Sequence, residues 1–133
     1  MTTDSLKQSI ISALGGKVVQ LTEALGELTL EVAPADYLQA AMLLRDDSAL
    51  QFDELIDLCG IDYSGWAGAN APAGRFGVVS HLLSVARNQR LRLRTMAPDE
   101  DFPVVASLTP VWPNANWYER EAFDLFGIVF DGH

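Results

Sequence analysis

A chain of 133 residues is long enough for one domain around one core, and its net charge of −9 argues against non-specific nucleic-acid binding, because a phosphate backbone would repel that surface. With 49% hydrophobic and 20% charged residues, the composition is that of a globular protein and not of a disordered one. The single cysteine, Cys59, cannot form an internal disulfide; without metal-ligand spacing around it, it reads as a small buried hydrophobe from a reducing compartment.

The N-terminal stretch MTTDSLKQSIISALGG has helical spacing and polar interruptions in place of a signal peptide's apolar run. No segment reaches the roughly 18 apolar residues of a membrane span. Membrane association is therefore expected only through partners, and the chain reads as cytoplasmic. Leu6, Ile10, Ile11 and Leu14 define the first helix, which Gly15-Gly16 stops. Lys17 to Leu21 and Leu28 to Val32 alternate like the strands of a hairpin turning near Leu25-Gly26-Glu27. Pro34 and Asp36 open a second helix through Tyr37, Leu38, Met42 and Leu43, ending at Asp46-Asp47. Phe52 to Tyr63 reads as a helical turn followed by a strand over about Leu55 to Asp62.

The run SGWAGANAPAG is expected to form a loop. Arg75 to Val85 is a strand with Phe76, Val78 and Leu82 on one face and Val79, His81, Leu83 and Val85 on the other. After a turn at Asn88-Gln89, the segment Arg90 to Thr95 places Arg90, Arg92 and Arg94 on one face and Leu91 and Leu93 on the other. Pro110 and Pro113 are expected to hold the chain extended up to Asn114, which caps a helix from Ala115 to Phe126; Gly127 ends it in the left-handed cap position. The expected fold is α+β: a single two-layer domain over residues 1–133, with a mostly antiparallel sheet of four to five strands and helices packed on it.

The last helix breaks the amphipathic rule twice. At 100° per residue, Leu125, Tyr118, Ala122, Phe126 and Phe123 share one arc, and Glu119 falls inside it. Trp117 joins Arg120, Glu121 and Asp124 on the polar side. Glu119 either reaches past its neighbours to water or is buried against an arginine such as Arg75 or one of Arg87 to Arg94, a backbone amide, or a group on another subunit. Trp117 is either a lone exposed aromatic or an interface anchor. Arg120 and Asp124 stand one turn apart and are spaced to bridge. His81 on a strand face reads as a hydrogen-bonded core histidine. A carboxylate hydrolase using Glu119, Glu121 or Asp124 with His81 or His133 is disfavoured, since Glu119 and Glu121 lie on different helix faces and no second carboxylate set is evident.

The segment WPNANWYEREAFDLFGIVFDGH resembles the signature of the thirty-kilodalton subunit family of respiratory complex I, the NADH:quinone oxidoreductase. The matching positions are Glu119-Arg120-Glu121, Asp124, Leu125-Phe126 and His133, with Gly127 and Gly132 between. FDELIDLCGIDY, RFGVVSHLLS and SLTPVWPNANW are similar to the family as well, so the resemblance covers about residues 30 to 133. The family continues past Gly-His with a proline and a basic segment, so the stop at His133 reads as a C-terminal truncation.

The resemblance implies a scaffold in the peripheral arm, on the cytoplasmic side of a bacterial inner membrane, beside the quinone-site and terminal iron–sulfur subunits. It implies a chain that is inactive alone and holds no cofactor or metal, with flavin and iron–sulfur clusters on other subunits. The residues agree: there is no cysteine cluster, Gly-rich phosphate loop or His-Cys zinc set. Related subunits of membrane-bound hydrogenases and ferredoxin-driven complexes share the pattern. The stripe Arg90, Arg92 and Arg94, with Arg87 nearby, is either a solvated strand face or an electrostatic interface to an acidic partner.

Overall fold

A computed structural model describes residues 3–66 and 74–133; most of the expected loop over 64–74 therefore lies outside the described residues. Helix α1, Thr3–Leu14, buries a narrow stripe of Leu6, Ile10 and Leu14, while Ile11 faces solvent. Gly15, at φ 55°, turns the chain out of the helix into strand β1, Val18–Ala24. Strand β2, Glu27–Val32, returns after the two-residue turn Leu25-Gly26, with φ of 55° and 77°. Two successive positive φ values make a type I′ turn, whose twist matches that of the strands.

Helix α2, Tyr37–Asp46, is entered through a 3₁₀ turn over Pro34–Asp36. Its buried positions are Tyr37, Ala40, Ala41 and Leu44, whereas Met42 is exposed. The helical turn expected at Phe52 lies earlier: Leu50 and Gln51 donate back to the Asp47 carbonyl, and Phe52 is already held by Leu44. Strand β3, Glu54–Asp62, carries a register shift between Leu55 and Asp57. Strands β4, Phe76–Ser84, and β5, Gln89–Met96, follow as a hairpin, and then β6, Val104–Ala106, helix α3, Ala115–Phe126, and β7, Val129–Asp131.

The main sheet has the order β1-β2-β5-β4-β3. Its pairs are antiparallel except β2–β5, which is parallel. The fold is thus the expected α+β, with a mixed sheet. One sheet face, through Leu28, Leu30, Val32, Val78, Leu82, Leu91 and Leu93, joins the helices in a single core. A second sheet, not foreseen, pairs β6 with β7 in parallel and ties the chain before α3 to the chain after it. No helix among the described residues is long and apolar enough to cross a membrane.

Candidate functional site

The approach to α3 is folded, not extended. Val111 and Trp112 donate to the Leu108 carbonyl, and Ala115 donates to that of Trp112 with Pro113 between them. Proline's fixed φ suits the second position of a turn as well as an extended run, so its presence did not decide between the two.

Asn114 also departs from expectation. It has helical angles (φ −69°, ψ −8°) and makes no capping hydrogen bond. Its Nδ2 instead donates to the Leu55 carbonyl at 2.9 Å. Trp112 Nε1 donates to the Phe52 carbonyl at 3.1 Å, and the Tyr118 hydroxyl to that of Ile56 at 3.0 Å. β3 is an edge strand whose outward carbonyls need partners. Three side chains of the signature segment therefore seal that edge and its approach.

Glu119 is fully buried, and none of the arginines expected from the sequence reaches it. The Leu108 amide donates to Oε2 at 2.7 Å and the Ser107 hydroxyl to Oε1 at 2.7 Å. Ser107 Oγ also lies 2.9 Å from Thr109 Oγ1 and accepts the Thr109 amide at 3.1 Å. Burial pushes the Glu119 carboxyl up, while the Leu108 amide, the Ser107 hydroxyl and His133 pull it down. An arginine is unnecessary because the loop after β6 aims two donors inward, and charge-assisted hydrogen bonds satisfy a buried carboxylate. Arg75 is occupied with Asp62 at 3.1 Å and holds that carboxyl well below its usual range. A backbone amide was among the partners expected for Glu119, and Leu108 supplies it; which amide, and the Ser107 hydroxyl beside it, were not foreseen, and the spacing Ser-x-Thr, which favours local side-chain bonds to the backbone, is the signal that could have found them.

The rest of the helix divides more narrowly than its projection. Ala115, Glu119 and Ala122 are buried and Tyr118 and Phe126 partly so, but Phe123 and Leu125, placed in the apolar arc, are 53% and 68% exposed. The narrowing follows from close approach to β3 at Gly60. A Cβ there would stand 2.9 Å from both Ile128 Cδ1 and Phe126 Cδ2, and 3.5 Å from Ala122 Cβ. Gly127, at φ 71°, caps α3 as expected and donates to the Phe123 carbonyl. Trp117 is 68% exposed and forms a shallow depression with Arg120, Glu121 and Asp124. Arg120 and Asp124 make no ion pair among the described residues, consistent with the weaker arginine-first order of an i,i+4 pair. After Gly132, at φ 90°, His133 returns to α3, its Nε2 3.1 Å from the Asn116 carbonyl oxygen. It rims an open cavity of about 330 Å³ with Arg120, Phe123 and Phe130.

Arg90, Arg92 and Arg94 lie on the sheet face opposite the helices and Arg87 in the turn between β4 and β5, but two of the four are already engaged. Arg94 pairs with Glu31 at 2.6 Å, and Arg87 donates to the Ser48 carbonyl at 2.6 Å. Arg90 is exposed, and Arg92 is partly buried. His81 shares this face and is not a core residue: Nδ1 stands 2.7 Å from Asp57 and Nε2 3.4 Å from Glu27. Cys59, expected to be buried, is exposed on the same face. Partial burial and the neighbouring Asp57 push its thiol up, the opposite of an activated thiolate.

A two-layer α+β module, with an edge-sealing segment and an inward-turned carboxylate on its last helix, is the class that these features define. The same fold occurs in one chain of the membrane-bound sulfane sulfur reductase, an archaeal respiratory membrane complex, with a TM-score of 0.78 over 98% of this chain and 71% of that one at 18% identity. The family described as the respiratory-chain NADH dehydrogenase 30 Kd subunit matches residues 30–133, and the chain belongs to that family. The NADH-quinone oxidoreductase C subunit of Burkholderia cenocepacia is 59% identical over 130 residues, and that of Burkholderia multivorans is 58% identical. These alignments take in 98% of this chain and 65% of each relative's length.

Proposed function

We propose that this chain is a non-catalytic scaffold subunit of a proton-translocating NADH:quinone oxidoreductase, set in the peripheral arm on the cytoplasmic side of the bacterial inner membrane. It holds together the quinone-site subunit and its neighbour that bears the terminal iron–sulfur cluster. Flavin and clusters sit on the other subunits, in keeping with a sequence that has one cysteine. The similarity to the Burkholderia NADH-quinone oxidoreductase subunits supports the assignment to this complex.

The observation that carries the scaffold role is the use made of Glu119. It is the buried carboxylate among the described residues, and both its oxygens are taken by the 107–108 loop. What remains of the signature, Trp117, Arg120, Glu121 and Asp124, faces outward around a shallow depression, with exposed Phe123 and Leu125 on the same helix. Exposed aromatics beside arginine and acidic groups suit a docking surface, where tryptophan and arginine contribute most.

Co-expression with the two neighbouring subunits tests this. The tagged chain is expected to retain both, and Trp117→Ala to weaken retention without lowering the melting temperature of the isolated chain. The purified chain is expected to show no flavin or iron–sulfur absorbance and no NADH–quinone reductase activity. A stoichiometric visible chromophore, or turnover by the chain alone, would overturn the reading.

A further inference from the structure

Two cross-strand rows on the helix-free face of the main sheet differ by one carboxylate. In one, Gln20, Glu31 and Arg94 stand abreast on β1, β2 and β5. Arg94 donates from Nε and Nη2 to Glu31 Oε1 at 3.0 and 2.6 Å. Two residues along the same strands, the next row places Thr22, Thr29 and Arg92 abreast. Thr29 stands where Glu31 stood, and a hydroxyl supplies no negative charge to the arginine beside it. Arg92 makes no hydrogen bond or ion pair among the described residues, and its Nε is shut away from solvent with no partner. A shielded donor left unmade is costly, and a guanidinium costlier still.

Space for the missing partner is present. Thr22, Thr29, Tyr63, Trp66, Arg92 and Arg94 line a cleft of about 180 Å³ on this face. Among the described residues, the surrounding charges leave Arg92 as its free cation. Arg94 and Glu31 neutralise each other. On the far side, His81 stands opposite Arg92 and is held between Asp57 and Glu27.

We propose that this cleft is a carboxylate receptor, filled in the assembled complex by an aspartate or glutamate side chain of a partner subunit. The incoming carboxylate takes beside Arg92 the place that Glu31 takes beside Arg94, pairing with the terminal guanidinium nitrogens, which unlike Nε are not shut away, with the Thr22 and Thr29 hydroxyls as further donors. A guanidinium fork fits a planar carboxylate. One carboxylate also suits a chain of net charge −9 better than a polyanion, which that charge would repel. A single matched pair in an otherwise acidic surface fixes the register of docking more than its strength. The identity of the occupant rests on the scaffold reading above; the cleft itself does not.

The two are separable by experiment. The first arm titrates acetate into the ¹⁵N-labelled full chain at constant ionic strength, against chloride, following the Thr22 and Thr29 backbone amides in wild type and variant, and the Arg92 Nε–Hε resonance in wild type. A saturable shift with a midpoint of about 10 mM is expected, the scale of one charge-assisted pair, with loss of cleft binding in Arg92→Gln. A linear response equal to that of chloride overturns the receptor. The second arm measures retention of the quinone-site and iron–sulfur subunits. Arg92→Gln is expected to weaken it about 10-fold or more, with Arg92→Lys in between. Equal retention by wild type and Arg92→Gln, beside saturable acetate binding, overturns the partner side chain as the occupant. Failure of the wild type to retain any subunit counts against the scaffold reading, and the acetate arm still decides the cleft. Unchanged far-ultraviolet circular dichroism of both variants excludes misfolding as the cause.

Discussion

Glu119 offers the sharpest test of how the signature helix holds its loop. Replacing it with alanine strips the Leu108 amide and the Ser107 hydroxyl of an acceptor inside the core. The hydroxyl can turn to Thr109 Oγ1, already 2.9 Å away. The amide has no such alternative, and a buried unsatisfied donor costs about 1–3 kcal/mol. Emptying the side chain's volume adds about 1 kcal/mol. Glu119→Ala is therefore expected to destabilise the chain by about 3 kcal/mol, read as a lower urea midpoint at unchanged m-value. Glu119→Gln keeps an oxygen for the amide and offers Nε2 to Ser107 Oγ, so its cost should stay within about 1 kcal/mol.

The pH dependence follows with a definite sign. Burial raises the folded-state carboxyl above its ordinary value, so the folded chain holds this proton more tightly than the unfolded chain does. The stability contributed by protonation is full below the ordinary glutamate range and is lost as pH rises through the raised value. Wild type should thus lose stability across that window relative to Glu119→Gln, in which the group cannot titrate. Equal cost for alanine and glutamine, or an alanine variant within about 0.5 kcal/mol of wild type, would refute the reasoning, since the amide would then have another acceptor.

Two further outcomes test the fold. Gly60→Val should destabilise by about 1–3 kcal/mol or more in chemical denaturation, because any Cβ meets Ile128 and Phe126 at 2.9 Å and valine adds two methyls to that overlap. Leu25→Asn should stabilise the chain by up to about 1 kcal/mol, read as a higher urea midpoint, since Leu25 is solvent-exposed at φ 55° in a type I′ turn, a position that asparagine adopts readily.

Local features are legible in the order of residues alone: the helix stripe of Leu6, Ile10 and Leu14, the Leu25-Gly26 turn, the alternation of β4 and β5, the left-handed stop at Gly127, and the family signature from Trp112 to His133. Each depends on periodicity or on one residue's backbone preference, which neighbours in the chain suffice to set. The inward turn of Glu119 was also legible, because a helix's angular repeat places it among apolar residues without reference to anything else. A backbone amide was among its expected partners, but which amide, and the Ser107 hydroxyl beside it, were not legible. The Ser107 and Leu108 donors come from a loop positioned by the parallel pairing of β6 with β7, two three-residue strands too short to leave a pattern.

The same division explains Asn114, Cys59, His81 and the arginines. An asparagine before a helix favours a cap, but the bulged edge of β3 offered its amide the Leu55 carbonyl instead. Alternation shows that two faces exist in β3, β4 and β5, yet not which one the helices will cover. Once they covered the leucine face, Cys59, His81 and Arg92 were left on the open one. Whether an arginine there is free depends on what the adjacent strand brings beside it. The parallel register of β2 with β5 decided that, giving Arg94 a glutamate and Arg92 a threonine.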